Sequence, residues 1–264
     1  MSRAQDTAVI RPLHRLHARR TLVCLGFCGG GTAPYRTWVD VLPEDADLAL
    51  VCYPGREGRY SEQFARDWGE LAVDATSAVL SAADRPYVLF GHSMGGWMAF
   101  HVAARIEQAG GPTPEAVVVS SCNPPRPDGV SASDMVPAAA DSDEELIGWM
   151  GRAGLLPDYA LGDPALREMA VDLMRADIRV RDTQRIEAGT TVGVPLQVLH
   201  GETDDAVDPD AAGGWRALSR TACRVDRLPG GHFYTPEVWA SLPTRFASLR
   251  GAVTPSTPDR RGSA

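Results

Sequence analysis

The sequence predicts an α/β fold, a mostly parallel sheet with helices on both faces. Three observations carry that expectation. Short, mostly apolar runs recur at residues 21–27, 48–53, 87–90, 116–120 and 195–200, and a last strand-like stretch stands at 223–228. Runs of that length without polar alternation fit strands buried on both faces. Longer stretches with helical spacing lie between them, as at 64–80 and 97–108, and such alternation lays successive strands parallel. Finally, Gly91-His92-Ser93-Met94-Gly95 stands between an apolar strand and a helix, where G-x-S-x-G makes a sharp nucleophile turn.

Composition sets the bounds. With 264 residues, 44% of them hydrophobic, the chain can fill one large α/β domain. A net charge of −8 argues against a nucleic-acid partner. No run of 18 apolar residues is present, so no membrane-crossing helix is expected. Residues 1–20 carry Arg3, Arg11, Arg15, Arg19 and Arg20 but no apolar segment of a secretory signal. Asp6 and Pro12 interrupt any amphipathic transit helix, so 1–20 reads as a polar lead-in to a domain at 21–250. The cysteines, Cys24, Cys28, Cys52, Cys122 and Cys223, are odd in number and sit mostly in apolar runs. That pattern suits free thiols in a reducing cytoplasm. Cys24 and Cys28 lack a companion Cys/His pair at zinc spacing, so no metal is expected.

Taken in order, the strand at 21–27 opens into Cys28-Gly29-Gly30-Gly31-Thr32. Consecutive glycines let the backbone turn sharply and approach a ligand. The loop lacks the lysine of a phosphate-binding loop, and a short helix follows at 35–41. After the strand at 48–53, Pro54-Gly55-Arg56-Glu57-Gly58-Arg59 forms a polar turn. Arg56 and Arg59 read either as contacts for an anionic group or as solvated loop charges. A helix at 64–80 then leads to the Ser93 turn. There the flanking positions must lack a β-carbon, because they crowd neighbouring backbone. From 124 to about 191 no strand is legible. Helices starting at Glu144 and at Asp163-Pro164, the latter to about Arg175, suggest a helical lid over the carboxyl edge of the sheet, where ligands bind; a decoration without a ligand role is the other reading. The sheet resumes at 195–200, followed by a helix at 209–218, a strand at 223–228, and a closing helix at 236–249. Residues 251–264 read as a flexible tail.

The chemistry-bearing residues follow one order. Ser93 comes first, then acids after a late strand, then His232 in Gly230-Gly231-His232 after the last strand. Ser, acid and His in that sequence is the arrangement of α/β-hydrolases. A serine hydroxyl needs a base, imidazole supplies one near neutral pH, and a carboxylate fixes the imidazole tautomer. Asp204 and Asp205 compete for the acid; spacing from Gly201 favours Asp204. His92, His101 and His200 read as structural.

Together these residues resemble the type II thioesterases of polyketide and non-ribosomal peptide synthetase systems. The likeness covers about residues 22–249. It rests on Gly29-Gly30 with Tyr35 and Trp38, Pro54-Gly55-Arg56-Glu57 with Arg59, and Gly91-His92-Ser93-Met94-Gly95. It continues in Met174-Arg175-Ala176-Asp177, Gly201 with Asp204, and Gly230-Gly231-His232-Phe233-Tyr234. The P-G-R-E and R-A-D segments are the most specific. The resemblance implies Ser93 as nucleophile, His232 as base, Asp204 as its partner, and the N–H groups of Met94 and Phe27 as oxyanion hole. It implies hydrolysis of acyl groups from the phosphopantetheine arm of a carrier protein, without metal or redox cofactor. A local basic patch, with Arg56, Arg59 or Arg175, is the expected carrier contact on a monomer. A product-releasing thioesterase, a cyclase or an esterase shares these residues. Three positions depart from the family: Gly26 stands where a proline is common, Gly96 where an alanine is and His101 where a glutamate is.

Overall fold

A computed structural model describes residues 7–250 apart from 132, 133 and 135. Among these, seven strands form one sheet in the order β1-β3-β2-β4-β5-β6-β7. The inner strands are β2 (Arg20–Leu25), β3 (Ala46–Val51), β4 (Tyr87–His92), β5 (Ala116–Ser120) and β6 (Leu196–Gly201), with β7 (Cys223–Leu228) at one edge. All of these run parallel. β3, β4 and β5 are buried at every position, as unbroken apolar runs require.

The other edge corrects the reading of the N-terminus. Residues 1–20 are not wholly a lead-in: β1 (Val9–Leu13) pairs antiparallel with β3. Pro12, which argued against a helix, lies where the register shifts between Ile10 and Leu13. An edge strand tolerates a proline at such an irregularity because one side of its ladder is unpaired. The expected tail at 251–264 lies outside the described residues.

α1 (Trp68–Ala82) starts at Asp67, whose carboxylate accepts Glu70 N–H at 2.9 Å. α2 (Met94–Gln108) follows the Ser93 turn. Both helices bury apolar faces in one core layer, with Leu71, Val79, Met98 and Phe100 among its members. The opposite face of the sheet is closed by Tyr35, Trp38, Phe90 and Phe246. Tyr35 and Trp38 come from a 3-10 segment, Ala33–Asp40, where a short helix was expected.

The insertion is helical, as its sequence suggested. α3 (Asp143–Arg152) begins with a capping box between Ser142 and Glu145. The short α4 (Asp158–Leu161) precedes α5 (Pro164–Asp182). α5 continues past Arg175 because 176–182 contains no breaker and prolongs the buried stripe of Val171, Met174 and Ile178. Then come α6 (Ala211–Ala217) and α7 (Pro236–Ser241). The expected closing helix is only this one followed by 3-10 turns, Leu242–Arg245 and Ala247–Leu249. Pro243 falls inside that stretch and cannot donate the N–H an α-helix needs there. No helix among the described residues is long and apolar enough to cross a membrane.

Candidate active site

Ser93 links β4 to α2 with φ 54° and ψ −124°, a conformation that a residue with a β-carbon keeps only under constraint. Backbone crowding supplies the constraint. A β-carbon at Gly91 would overlap the Gly95 carbonyl, and one at Gly95 would lie 2.5 Å from Leu25 O and 2.7 Å from Gly26 O. Ser93 N–H donates to Ser120 O at 2.7 Å, and Gly96 N–H donates to Ser93 O at 2.8 Å. The turn is thus pinned to β5 and to its own helix. Met94 opens α2, so its N–H belongs to the first turn, which has no acceptors within the helix and carries the positive end of its dipole. Gly96 has a local reason: a β-carbon there would stand 2.6 Å from Cys122 Sγ.

Backbone contact also joins the loops after β6 and β7. Glu202 N–H donates to Leu228 O at 2.8 Å and Thr203 N–H to Gly230 O at 3.0 Å. A β-carbon at Gly201 would collide with the Gly230 and Gly231 carbonyls. This close approach carries His232 Nδ1 to 3.2 Å from each carboxylate oxygen of Asp204. Asp204 is 8% exposed, whereas Asp205 is on the surface; of the two rivals, Asp204 is the one that faces the histidine. Burial works to raise the Asp204 pKa, but the hydrogen bond and charge of His232, helped by Ala206 N–H, hold it below the ordinary carboxylate value. An ionised carboxylate on Nδ1 leaves the far imidazole nitrogen as the one able to accept a proton.

Behind His232 lies a second, fully buried imidazole. His92 packs edge-on against it at 5.1 Å between ring centroids. Its Nδ1 is 3.0 Å from Ser120 Oγ, which is 2.6 Å from the Tyr234 hydroxyl. Burial, then the neighbouring His232, push the His92 pKa well down, so this ring is neutral. Its structural reading from sequence is consistent with that setting.

Ser93 and His232 line one small cavity of about 40 Å³, together with Phe27, Cys28, Met94 and Trp97. A larger cavity of about 1270 Å³ adjoins it, sharing Phe27, Trp149, His232 and Phe233. The larger one runs between the glycine loop and the helices α3 to α5, with Tyr159, Leu166 and Met169 in its wall. The insertion therefore covers the site. Burial pushes the thiol pKa values of Cys28 and Cys122, both at the small cavity, well above the usual value, so neither is a ready nucleophile.

Arg56 and Arg59 are turned into the fold rather than out to solvent, although Arg56 also lines the larger cavity. Each is only 6% exposed. Arg56 pairs with Asp177 through Nη2 to Oδ1 at 2.6 Å and Nη1 to Oδ2 at 2.9 Å. Arg59 is spanned by Glu62 and Asp74 at 2.6 to 2.9 Å. Both guanidiniums are paired with carboxylates of the fold, so neither forms an exposed basic patch. Arg175 is partly exposed and pairs with Asp143, tying α5 to the start of α3. Asn123 was missed in the sequence: it accepts Asp208 N–H at 2.8 Å and donates to Ala206 O at 2.9 Å, bracing the Asp204 loop. Nothing local marks a lone asparagine after a strand for that task.

Sheet order, nucleophile turn and facing histidine define an α/β-hydrolase. Comparison with known proteins narrows the class. Residues 20–249 match the thioesterase domain, and the chain belongs to that family of thioester hydrolases. It is 31% identical over 248 residues to a probable cadicidin biosynthesis thioesterase of Streptomyces griseus, covering 92% of this chain and 67% of that one. It is 34% identical over 216 residues, 81% of the chain, to part of the AMB antimetabolite synthetase AmbE of Pseudomonas aeruginosa, and spans 10% of that synthetase's length. The structure of the type II thioesterase BorB from the borrelidin biosynthetic cluster superposes with a TM-score of 0.78 at 30% identity, covering 93% of this chain and 98% of that one.

Proposed function

We propose that this protein is an editing thioesterase that removes acyl groups from the phosphopantetheine arms of carrier proteins in a polyketide or non-ribosomal peptide synthetase. The observation that carries the reading is Ser93, on its strained turn, sharing a cavity with a His232 already held by Asp204. Ser93 Oγ attacks the thioester carbonyl while His232 takes its proton. The N–H groups of Met94 and Phe27 receive the oxyanion. His232 returns the proton to the departing thiol, and the acyl-Ser93 ester forms. Water, deprotonated by His232, then cleaves that ester and restores Ser93. Asp204 stays ionised and stabilises the imidazolium. These steps call for no metal or redox cofactor.

The paired cavities support an arm-borne substrate: the small one suits a short acyl group and the larger one suits the arm. A product-releasing enzyme or cyclase must enclose a long chain at the serine, and the acyl panel below separates it from the editing role. The carrier is expected to dock at the mouth of the larger cavity, near the exposed Tyr60 and Tyr159. The free thiols, of which Cys24, Cys28, Cys52 and Cys122 are buried, fit a place in the cytoplasm, and a monomer is the expected state. The test is hydrolysis of a panel of acyl-carriers from acetyl upward, beside the same acyl groups on coenzyme A and p-nitrophenol. Turnover across several short acyl-carriers is expected. Turnover confined to one elaborate thioester, or to oxygen esters, overturns the editing role.

A further inference from the structure

The two sequence segments most specific to the resemblance, P-G-R-E and R-A-D, meet at the glycine loop. Arg56 Nη1 donates to Gly30 O at 2.8 Å while its guanidinium holds Asp177. Asp177 Oδ2 in turn accepts Gly29 N–H at 2.8 Å. From the other side Glu57 Oε1 accepts Thr32 N–H at 3.0 Å and the Thr32 hydroxyl at 3.1 Å. Three backbone groups of residues 29–32 are thus fixed by three charged side chains. Two of these come from the turn after β3 and the third from α5. Met174, one turn before Asp177, packs on the same loop: its Sδ is 3.6 Å from Cys28 Sγ, and its side chain fills the space a β-carbon at Gly29 would need. Gly30 N–H, finally, donates to Phe27 O at 2.9 Å, so the clamped stretch runs directly into Phe27.

We propose that Arg56 and Asp177 are positioning residues that set the Phe27 N–H through the glycine loop, and that they make catalytic competence depend on α5 being seated. The inference rests on the oxyanion role given to Phe27 above. Bidentate pairing with one more bond to a carbonyl requires the planar fork of arginine; lysine carries the charge but cannot reproduce the geometry. With Gly26 where the family commonly has a proline, the loop lacks one source of stiffness, and its position depends more on the ion pair.

The experiment compares wild type with R56K, D177N and the apolar pair R56M/D177L. The readouts are kcat and KM on an acyl-carrier, and inhibition by a trifluoromethyl ketone and by a thioether of the same acyl group. The ketone becomes a tetrahedral oxyanion on Ser93, whereas the thioether reports ground-state binding alone. Loss of one oxyanion donor lowers kcat on the order of 10²–10³-fold, so a loosened one should lower it by at least about tenfold. In R56K, kcat should fall by that factor and ketone affinity in parallel, with KM and thioether affinity within about twofold. R56M/D177L keeps the site filled without a lone buried charge, so it should fold and share the kcat defect. A folded R56M/D177L or R56K with wild-type kcat overturns the proposal, as does an equal loss of ketone and thioether affinity. Wild type with no thioester turnover contradicts the hydrolase reading instead. In that case the rate of fluorophosphonate labelling at Ser93 still tests the clamp, since it too forms an oxyanion: an unchanged rate in R56K overturns it.

Discussion

At the scale of single residues, the site turns on one partly buried polar pair. His232 and Asp204 share a 3.2 Å contact that fixes a tautomer. Substituting Asp204→Asn replaces the acceptor by a group that can present a donor, and should lower kcat/KM about 10³–10⁴-fold while KM changes little. Ser93→Ala should cost on the order of 10⁴-fold or more in kcat without lowering Tm, since relief of a strained turn does not destabilise the fold. His101 gives a pH prediction. It accepts Trp68 Nε1–H at 2.9 Å on Nδ1, and burial, assisted by Arg105, lowers its pKa to about 4. The unfolded chain has the ordinary histidine value of about 6.5, so below it the unfolded state binds the extra proton first. The stability contributed by neutral His101 is therefore complete above pH 6.5 and is lost as pH falls toward 4. Urea unfolding of H101Q should show a shallower loss between those limits than wild type. An identical slope would place the titration elsewhere. Position 101, one of the three departures from the family, thus has a packing role.

At the scale of elements, glycines decide where the catalytic loops meet. Gly201→Ala must push the β6 and β7 loops apart at Gly230 and Gly231. It should cost about 1–3 kcal/mol as overpacking, and kcat should fall further than Tm alone explains. Gly213 is the contrasting case, helical in α6 with open space around its α-carbon. Gly213→Ala should stabilise by about 0.5–1 kcal/mol with kcat unchanged. Denaturant titration of both variants reads the contrast directly. Elements of this kind were legible in the sequence where physics is local. Apolar runs gave β2 to β6, and Pro164 after Asp163 gave the start of α5. The Ser93 turn was legible because its glycines are required by backbone contact within a few residues. What stayed hidden was set by contacts distant in sequence. β1 has only five residues and a proline, and becomes a strand through β3. Arg56 and Arg59 look like loop charges until Asp177, Glu62 and Asp74 are brought to them. Removing one partner of the buried Arg56–Asp177 pair should cost about 3–5 kcal/mol, whereas R56M/D177L should recover most of that in thermal unfolding.

At the scale of the whole molecule, the insertion turns an open sheet edge into a covered site with two adjoining cavities. Global charge cannot draw an acidic carrier to a protein of net charge −8, so docking has to be local and at least partly apolar. If the proposed docking at Tyr159, exposed beside the larger cavity, holds, Tyr159→Glu should raise KM for an acyl-carrier several-fold and leave KM for the p-nitrophenyl ester unchanged. The central claim, that Ser93 carries an acyl group taken from a thioester, is tested most directly by intact-mass analysis of the enzyme quenched during turnover of a short acyl-carrier. The account predicts an adduct of the acyl mass on Ser93 in wild type and none in S93A, with free acid accumulating only in the former. Free acid formed at equal rates by both proteins would contradict it.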